Sequence, residues 1–174
     1  MITNEGILKK PFDDVNRMFY LYVQTTWAVG MSKSSSILHN CLYFTANSLA
    51  RVITRMAEEA FRRTGLSPAH AFLIMVVNDN PGIGQKEICG QLQLAPSTVT
   101  RFIDALVNKG FVIRQVDGKA SRIYPTPAGE NLQEPIADAW KSLHDRYARV
   151  LGSREGDELT VMIDEASRKL SFSG

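Results

Sequence analysis

Apolar residues recur at spacings of three and four along most of this chain and give way to short strand-like runs in one region only. The first pattern marks amphipathic helices and the second half-buried strands. Phe12, Val15, Met18, Phe19, Tyr22 and Val23 predict a helix over 11–29, broken by Gly30 and a Ser-rich linker, Met31–Ser36. Leu42, Leu49, Val52, Ile53, Met56 and Ala60 predict a long helix from His39 to Arg63, stopped by Gly65. Ser67 caps the next helix, with Pro68 at its first position, where a missing N–H costs nothing. Phe72, Leu73, Val76 and Val77 point inward from it, and Asn80-Pro81-Gly82 ends it.

The middle of the chain is the most informative. Gln85–Leu92 reads as a short helix with Ile88 and Leu92 four apart. Leu94-Ala95 forms a turn, and Pro96 opens a helix to about Asn108 with Val99, Phe102, Ile103 and Leu106 on its buried side. Gly110 ends it. Residues 111–115 and 121–125 read as two strands joined at Asp117-Gly118. Thr126-Pro127 then starts a long helix striped by Leu132, Ile136, Trp140, Leu143, Tyr147 and Val150, which Pro135 should kink. After Gly152, Ser153 caps a last helix with Leu159, Met162, Ile163, Ala166 and Leu170 inward. The fold class is mainly α with a small β-hairpin wing: a winged helix-turn-helix flanked by N- and C-terminal helices.

Chemistry narrows the role. Two helices crossing steeply need a small residue at the contact, supplied by Cys89, and apolar residues that meet below it. That leaves Pro96, Ser97, Thr98, Thr100, Arg101 and Asp104 at the start and on the outer side of the second helix. Arg can bond guanine bidentately, and Ser or Thr can take a base edge or a phosphate. Ala95 offers no side-chain cap, so the first N–H groups of that helix are expected to be free for a phosphate. Lys119, Ser121 and Arg122 sit at the hairpin, where a cationic loop can reach the adjacent minor groove or backbone. Asp117 is expected to pair with Arg122 and stiffen it.

Net charge is only +2, but residues 86–122 hold six basic residues against three acids, so this segment carries +3 and the remainder −1. A local basic patch suits a polyanion partner. Hydrophobic content of 44% and charged content of 22% are those of a globular protein. The 174 residues suffice for one domain or two small lobes. Cys41 and Cys89 form no CxxC and have no His at ligand spacing, which argues against structural zinc and disulfides and for a reduced, cytoplasmic setting. Lys9 and Lys10 are followed by acids rather than an apolar core, so no signal peptide is expected, and Met18–Met31 is too short to span a bilayer. The three histidines are scattered, no Gly-rich phosphate loop occurs, and no nucleophile–base pair sits at recognisable spacing. An enzyme is not expected, nor a metal or cofactor.

The chain resembles the MarR family of bacterial transcriptional regulators. The matching pieces are Leu66-Ser67-Pro68, Gln85-Lys86-Glu87-Ile88, Pro96-Ser97-Thr98-Val99-Thr100-Arg101, Leu106–Gly110 and Thr126-Pro127-Ala128-Gly129, spread over about residues 40–170. The resemblance implies a ligand-responsive repressor that binds double-stranded DNA as a homodimer. The operator would be pseudo-palindromic, with half-sites ~34 Å apart. Together with the apolar spacing of the first 36 residues, it divides the chain into an extension helix and linker (1–36), a dimerisation helix (37–64), the DNA-binding domain (65–126) and two further dimerisation helices (127–174). It also implies a small aromatic or anionic effector, for which Tyr43, Asn47, Arg51, His70 and Trp140 are the candidate contacts. The wing is shorter than the family's Asp-x-Arg-Arg loop, and residues 1–30 fall outside the pattern. Two alternatives are a winged helix used for protein–protein contact, and a thiol-based sensor acting through Cys41.

Overall fold

A computed structural model describes residues 33–117 and 120–171. The helix expected over 11–29 lies outside these residues. The described residues fall into two compact units, divided between Val52 and Ile53.

In the first unit, α1 (Lys33–His39) occupies most of the run expected to be a linker. That stretch contains no Gly or Pro, so nothing bars a helix there, and Ser is a permitted if weak helix former. The α2 helix (Leu42–Phe61) begins after a tight turn in which the Cys41 N–H donates to the Leu38 carbonyl (3.1 Å). The Thr45 N–H then returns to the Cys41 carbonyl (2.9 Å). The His39 ring meets Phe44 edge-on, with centroids 6.1 Å apart.

The second unit contains the rest of α2, which buries Ala57 and Phe61 and ends in the 3-10 turn Arg62–Thr64 at Gly65, φ +70°. The α3 helix (Pro68–Asp79) opens as expected, with Ser67 Oγ accepting the His70 N–H at 3.4 Å. Next come β1 (Ile83–Gly84), α4 (Gln85–Leu92), α5 (Pro96–Asn108), β2 (Val112–Asp117) and β3 (Ala120–Pro125). The wing is three-stranded rather than two-stranded, antiparallel in the order β1-β3-β2, with Ile83 opposite Ile123 and Gly84 opposite Arg122. Asp117 belongs to β2 and pairs with Ala120. Leu73, Ile74, Val77, Ile88, Val99, Ile103, Leu106 and Ile123 are shut off from solvent and form one core beneath α3, α4, α5 and the sheet.

The long helix expected from Thr126 is in fact two: α6 (Pro127–Glu130) and α7 (Gln133–Leu151). Thr126 Oγ1 accepts the Gly129 N–H (3.1 Å) and donates to the Gly110 carbonyl (2.6 Å). Asn78 Nδ2 donates to the Gly129 carbonyl (3.2 Å) and to Gln133 Oε1 (2.9 Å). These bonds hold the short turn of α6 against Phe111, and the helix restarts beyond it. Pro135 therefore falls in the first turn of α7, where no intrahelical N–H is needed, and it is not a mid-helix kink. Ile136, Ala139 and Leu143 bury the inner side of α7, and Arg146 ties it to α2 through Glu59 (2.8 Å).

The α8 helix (Ser153–Ser171) departs most from expectation. Its stripe was expected inward, yet Leu159 is only half-buried, and Met162, Ile163, Ala166 and Leu170 are exposed. Gly156 is its one buried residue, packed beneath Tyr147. Among the described residues, no helix is long and apolar enough to cross a membrane.

Gly129 is the tightest backbone approach. A Cβ there would stand 2.0 Å from the Phe111 carbonyl oxygen, which is backbone and cannot give way cheaply. Gly129→Ala is expected to destabilise the second unit by about 3 kcal/mol, whereas Gly90→Ala, with open space around its Cβ position, should be neutral or slightly stabilising. Urea unfolding of the two variants checks the contrast.

Candidate nucleic-acid interface

The helix α5 presents one continuous polar side. Ser97, Arg101 and Asp104 follow one another at spacings of four and three, so they share a stripe, and all three are exposed. Pro96 is exposed at the start and Thr98 is half-buried. The opposite side carries Val99, Ile103 and Leu106, fully buried, so the polar stripe has no freedom to turn inward.

Not every polar group on this helix is free. Thr100 Oγ1 donates to the Pro96 carbonyl (2.8 Å) and accepts from Gln85 Nε2 (2.8 Å), so its hydroxyl is committed within the protein. Asp104 accepts from Arg114 Nη2 on β2 at 2.7 Å, which makes it an anchor for the wing rather than an unpaired acceptor. Ala95 indeed supplies no cap, but the Thr98 N–H bonds the Ala95 carbonyl (2.9 Å). Since Pro96 has no N–H, the free donor at this helix start narrows to Ser97. Arg101 has no ion-pair partner among the described residues.

The wing is tied down at a second place. Glu87 Oε2 accepts the Gly84 N–H (2.9 Å), half of a capping box to which Gly84, lacking a side chain, returns nothing. Arg122 lies across this cap, donating to the Gly82 carbonyl (3.2 Å) with Glu87 Oε2 3.7 Å away. The expected partner Asp117 has a side chain outside the described set, as does Lys119. Ser121 does not offer its hydroxyl outward: Oγ is shut off from solvent with no hydrogen-bond partner among the described residues, on a strand position opposite Val116. Gln85 and Arg114, which orient this surface, were not among the expected site residues. Their partners lie 10 to 15 residues away, and no local pattern marks them.

The candidate effector residues are dispersed. In the first unit Tyr43 is exposed, Arg51 is exposed, and Asn47 Nδ2 bonds the Tyr43 carbonyl (2.7 Å). In the second, the His70 ring packs on Phe102 of α5 (centroids 4.5 Å), with Nδ1 2.7 Å from Ser67 Oγ. Trp140 stacks near His144 (5.5 Å). Two surface hollows along α7 measure about 730 and 350 Å³. The larger is lined by Lys141, Asp145 and Arg149 among others, the smaller by Arg63, Pro135 and Asp138 among others; neither includes His70 or Trp140. Cys41 and Cys89 are free and half-buried.

Burial holds the His70 imidazole below its ordinary pKa, and the Lys109 cation adds to the effect. The folded state therefore resists a proton that the unfolded state accepts. Stability is expected to fall as pH drops below about 6.5, and His70→Gln should flatten that dependence. Thermal melts at about pH 7.5 and 5.5 of parent and variant make the comparison.

Residues 66–122 match the model of the MarR family. The HTH-type transcriptional repressor MdtR of Bacillus subtilis (strain 168) is 24% identical over 126 residues, which is 71% of this chain and 81% of that protein. Among solved structures, the transcriptional repressor CouR bound to a 23-mer DNA duplex superposes with a TM-score of 0.65 at 21% identity, covering 75% of this chain and 94% of that one. CouR bound to p-coumaroyl-CoA gives 0.65 at 22% identity over the same shares. At such identity the structural likeness establishes the winged-helix fold.

Proposed function

We propose that the chain is a member of the MarR family, whose model residues 66–122 match, and that it is a DNA-binding transcriptional repressor working as a homodimer on a pseudo-palindromic operator and released by a small effector. The observation that carries this reading is the outward stripe of α5. Ser97 and Arg101 stand exposed on a helix whose other side is locked into the core. That is the chemistry and shape a major groove admits. A protein-docking face would instead show apolar or aromatic side chains there.

The homodimer is supported by α8. Met162, Ile163 and Leu170 are 45 to 64% exposed on a helix with little of its own surface buried. An apolar stripe of this length on a small protein marks an interface, and a second copy of the same stripe is self-complementary about a two-fold axis. The effector is inferred from relatives, since CouR is known bound to p-coumaroyl-CoA. Tyr43, Asn47, Arg51, His70 and Trp140 are the side chains to vary in a search for it. An effector would act by binding more tightly to the conformation that fits DNA poorly. This reading sets the protein to work with the DNA, in the cytoplasm.

Selection of bound sequences from a random duplex library tests the whole reading. A two-fold symmetric motif is expected; recovery of no motif would sink it. On the selected duplex, Arg101→Ala should weaken binding by ~1–3 kcal/mol. Lys119→Ala should weaken binding to all sequences alike and lower the salt slope by about one charge. Light scattering should give about twice the 19.4 kDa chain mass, and Met162→Asp with Leu170→Asp should yield single chains that no longer prefer the symmetric site. A parent that scatters as a single chain would overturn the dimer.

A further inference from the structure

We propose that Gln85 is a positioning residue: it fixes the first turn of α5 and thereby the sequence-specific part of DNA binding, an inference that rests on the DNA-binding reading above. Gln85 is the first residue of α4, and its Nε2 donates both to Thr100 Oγ1 (2.8 Å) and to the Pro96 carbonyl (3.3 Å). Thr100 Oγ1 itself donates to that carbonyl (2.8 Å). The three groups close a triangle of hydrogen bonds at the helix start.

This start needs outside support. Ala95 gives it no side-chain cap and Pro96 no N–H. Among the described residues, Gln85 is the one side chain from another element that bonds the turn 95–100. The anchor beneath Gln85 is itself braced. Gly84, the preceding residue, is held by Glu87, over which Arg122 of β3 lies. A polar chain thus runs from the wing through the start of α4 to the turn that carries Ser97 and leads to Arg101.

Geometry then separates two kinds of binding. A base-edge contact fails when its donor is misplaced by roughly 0.5 Å or turned by about 10–20°. A phosphate contact tolerates that movement and carries no sequence information. Loss of the Gln85 bonds should therefore fall on operator binding and spare binding to random sequence. Gln85→Met keeps the length and apolar stem but removes both donors.

The test uses the full chain. Anisotropy titrations are run against the selected operator and a random-sequence duplex over a salt series, together with amide hydrogen exchange at Val99 to Arg101 in the DNA-free protein. For Gln85→Met, operator affinity should fall roughly fivefold, while random-duplex affinity and salt slope stay at the parent's values and exchange at Val99 to Arg101 quickens. Thr100→Val should show the same pattern, and the double variant should be no worse than the weaker-binding single one, since both break one triangle. Equal losses on both duplexes, a reduced salt slope, additive losses or unchanged exchange would each overturn the proposal. Should Gln85→Met fail to fold, Thr100→Val carries the same measurements. If the parent shows no sequence preference while exchange still quickens, the regulator reading falls and the positioning role stands.

Discussion

The crossing of α4 over α5 depends on Ile88, Val99, Ile103 and Leu106, all shut off from solvent. Fully burying such a side chain contributes roughly 1.5–3 kcal/mol. An exposed ion pair contributes ~0–1 kcal/mol. The apolar contact therefore sets the angle between the two helices, and polar bonds can only refine it. Everything that α5 offers outward follows from that order of magnitudes: the stripe of Ser97, Arg101 and Asp104 faces solvent because its opposite side has nowhere else to go.

The polar refinement serves direction more than stability. Arg114 meets Asp104 from β2, and Arg122 reaches Glu87 and Gly82 from β3. Each pair is substantially exposed, so neither adds much to folding. Together they fasten the wing to α5 on one side and to the start of α4 on the other. They also neutralise the two acids, Asp104 and Glu87, that would otherwise repel a phosphate backbone. Arg101 is left as an exposed cation of α5 outside any such pair among the described residues.

The helices between Ser67 and Gly110 and the hairpin of β2 and β3 were legible in the sequence because their signals are local. Ser67-Pro68, Pro96 and Gly110 punctuate the chain, and the apolar spacing between them leaves one reading. The third strand was not legible, since Ile83-Gly84 is too short to show any alternation. The break before Gln133 is not legible because Gly129 and Asn131 are isolated signals inside an otherwise helical spacing, and the turn is braced by Asn78, which lies more than fifty residues upstream. Pro135 marks a helix start rather than a kink, since it is the third residue of α7. In the site, the stripe itself was visible from spacing. The partners that commit Thr100 and Asp104, and the burial of the Ser121 hydroxyl, are tertiary facts that no window of sequence contains. On α8 the spacing marks an apolar stripe, but the inward placement expected for it is not found: Met162, Ile163, Ala166 and Leu170 are exposed.

Gln93 joins α4 to α5 with φ +52°, the one non-glycine residue among those described with a positive φ. A side chain with a Cβ enters that region at a cost of roughly 1–2 kcal/mol. The Gln93 and Leu94 amides both return to the Cys89 carbonyl, which keeps the corner closed against local preference. Glycine at this corner would relieve the strain yet give the unfolded chain more freedom, so the two effects largely offset. A β-branched residue would suffer the strain in full. The vertex of the motif is thus tolerant of small, pliable replacements and closed to stiff ones, which limits the substitutions by which this turn can drift without changing the angle it holds.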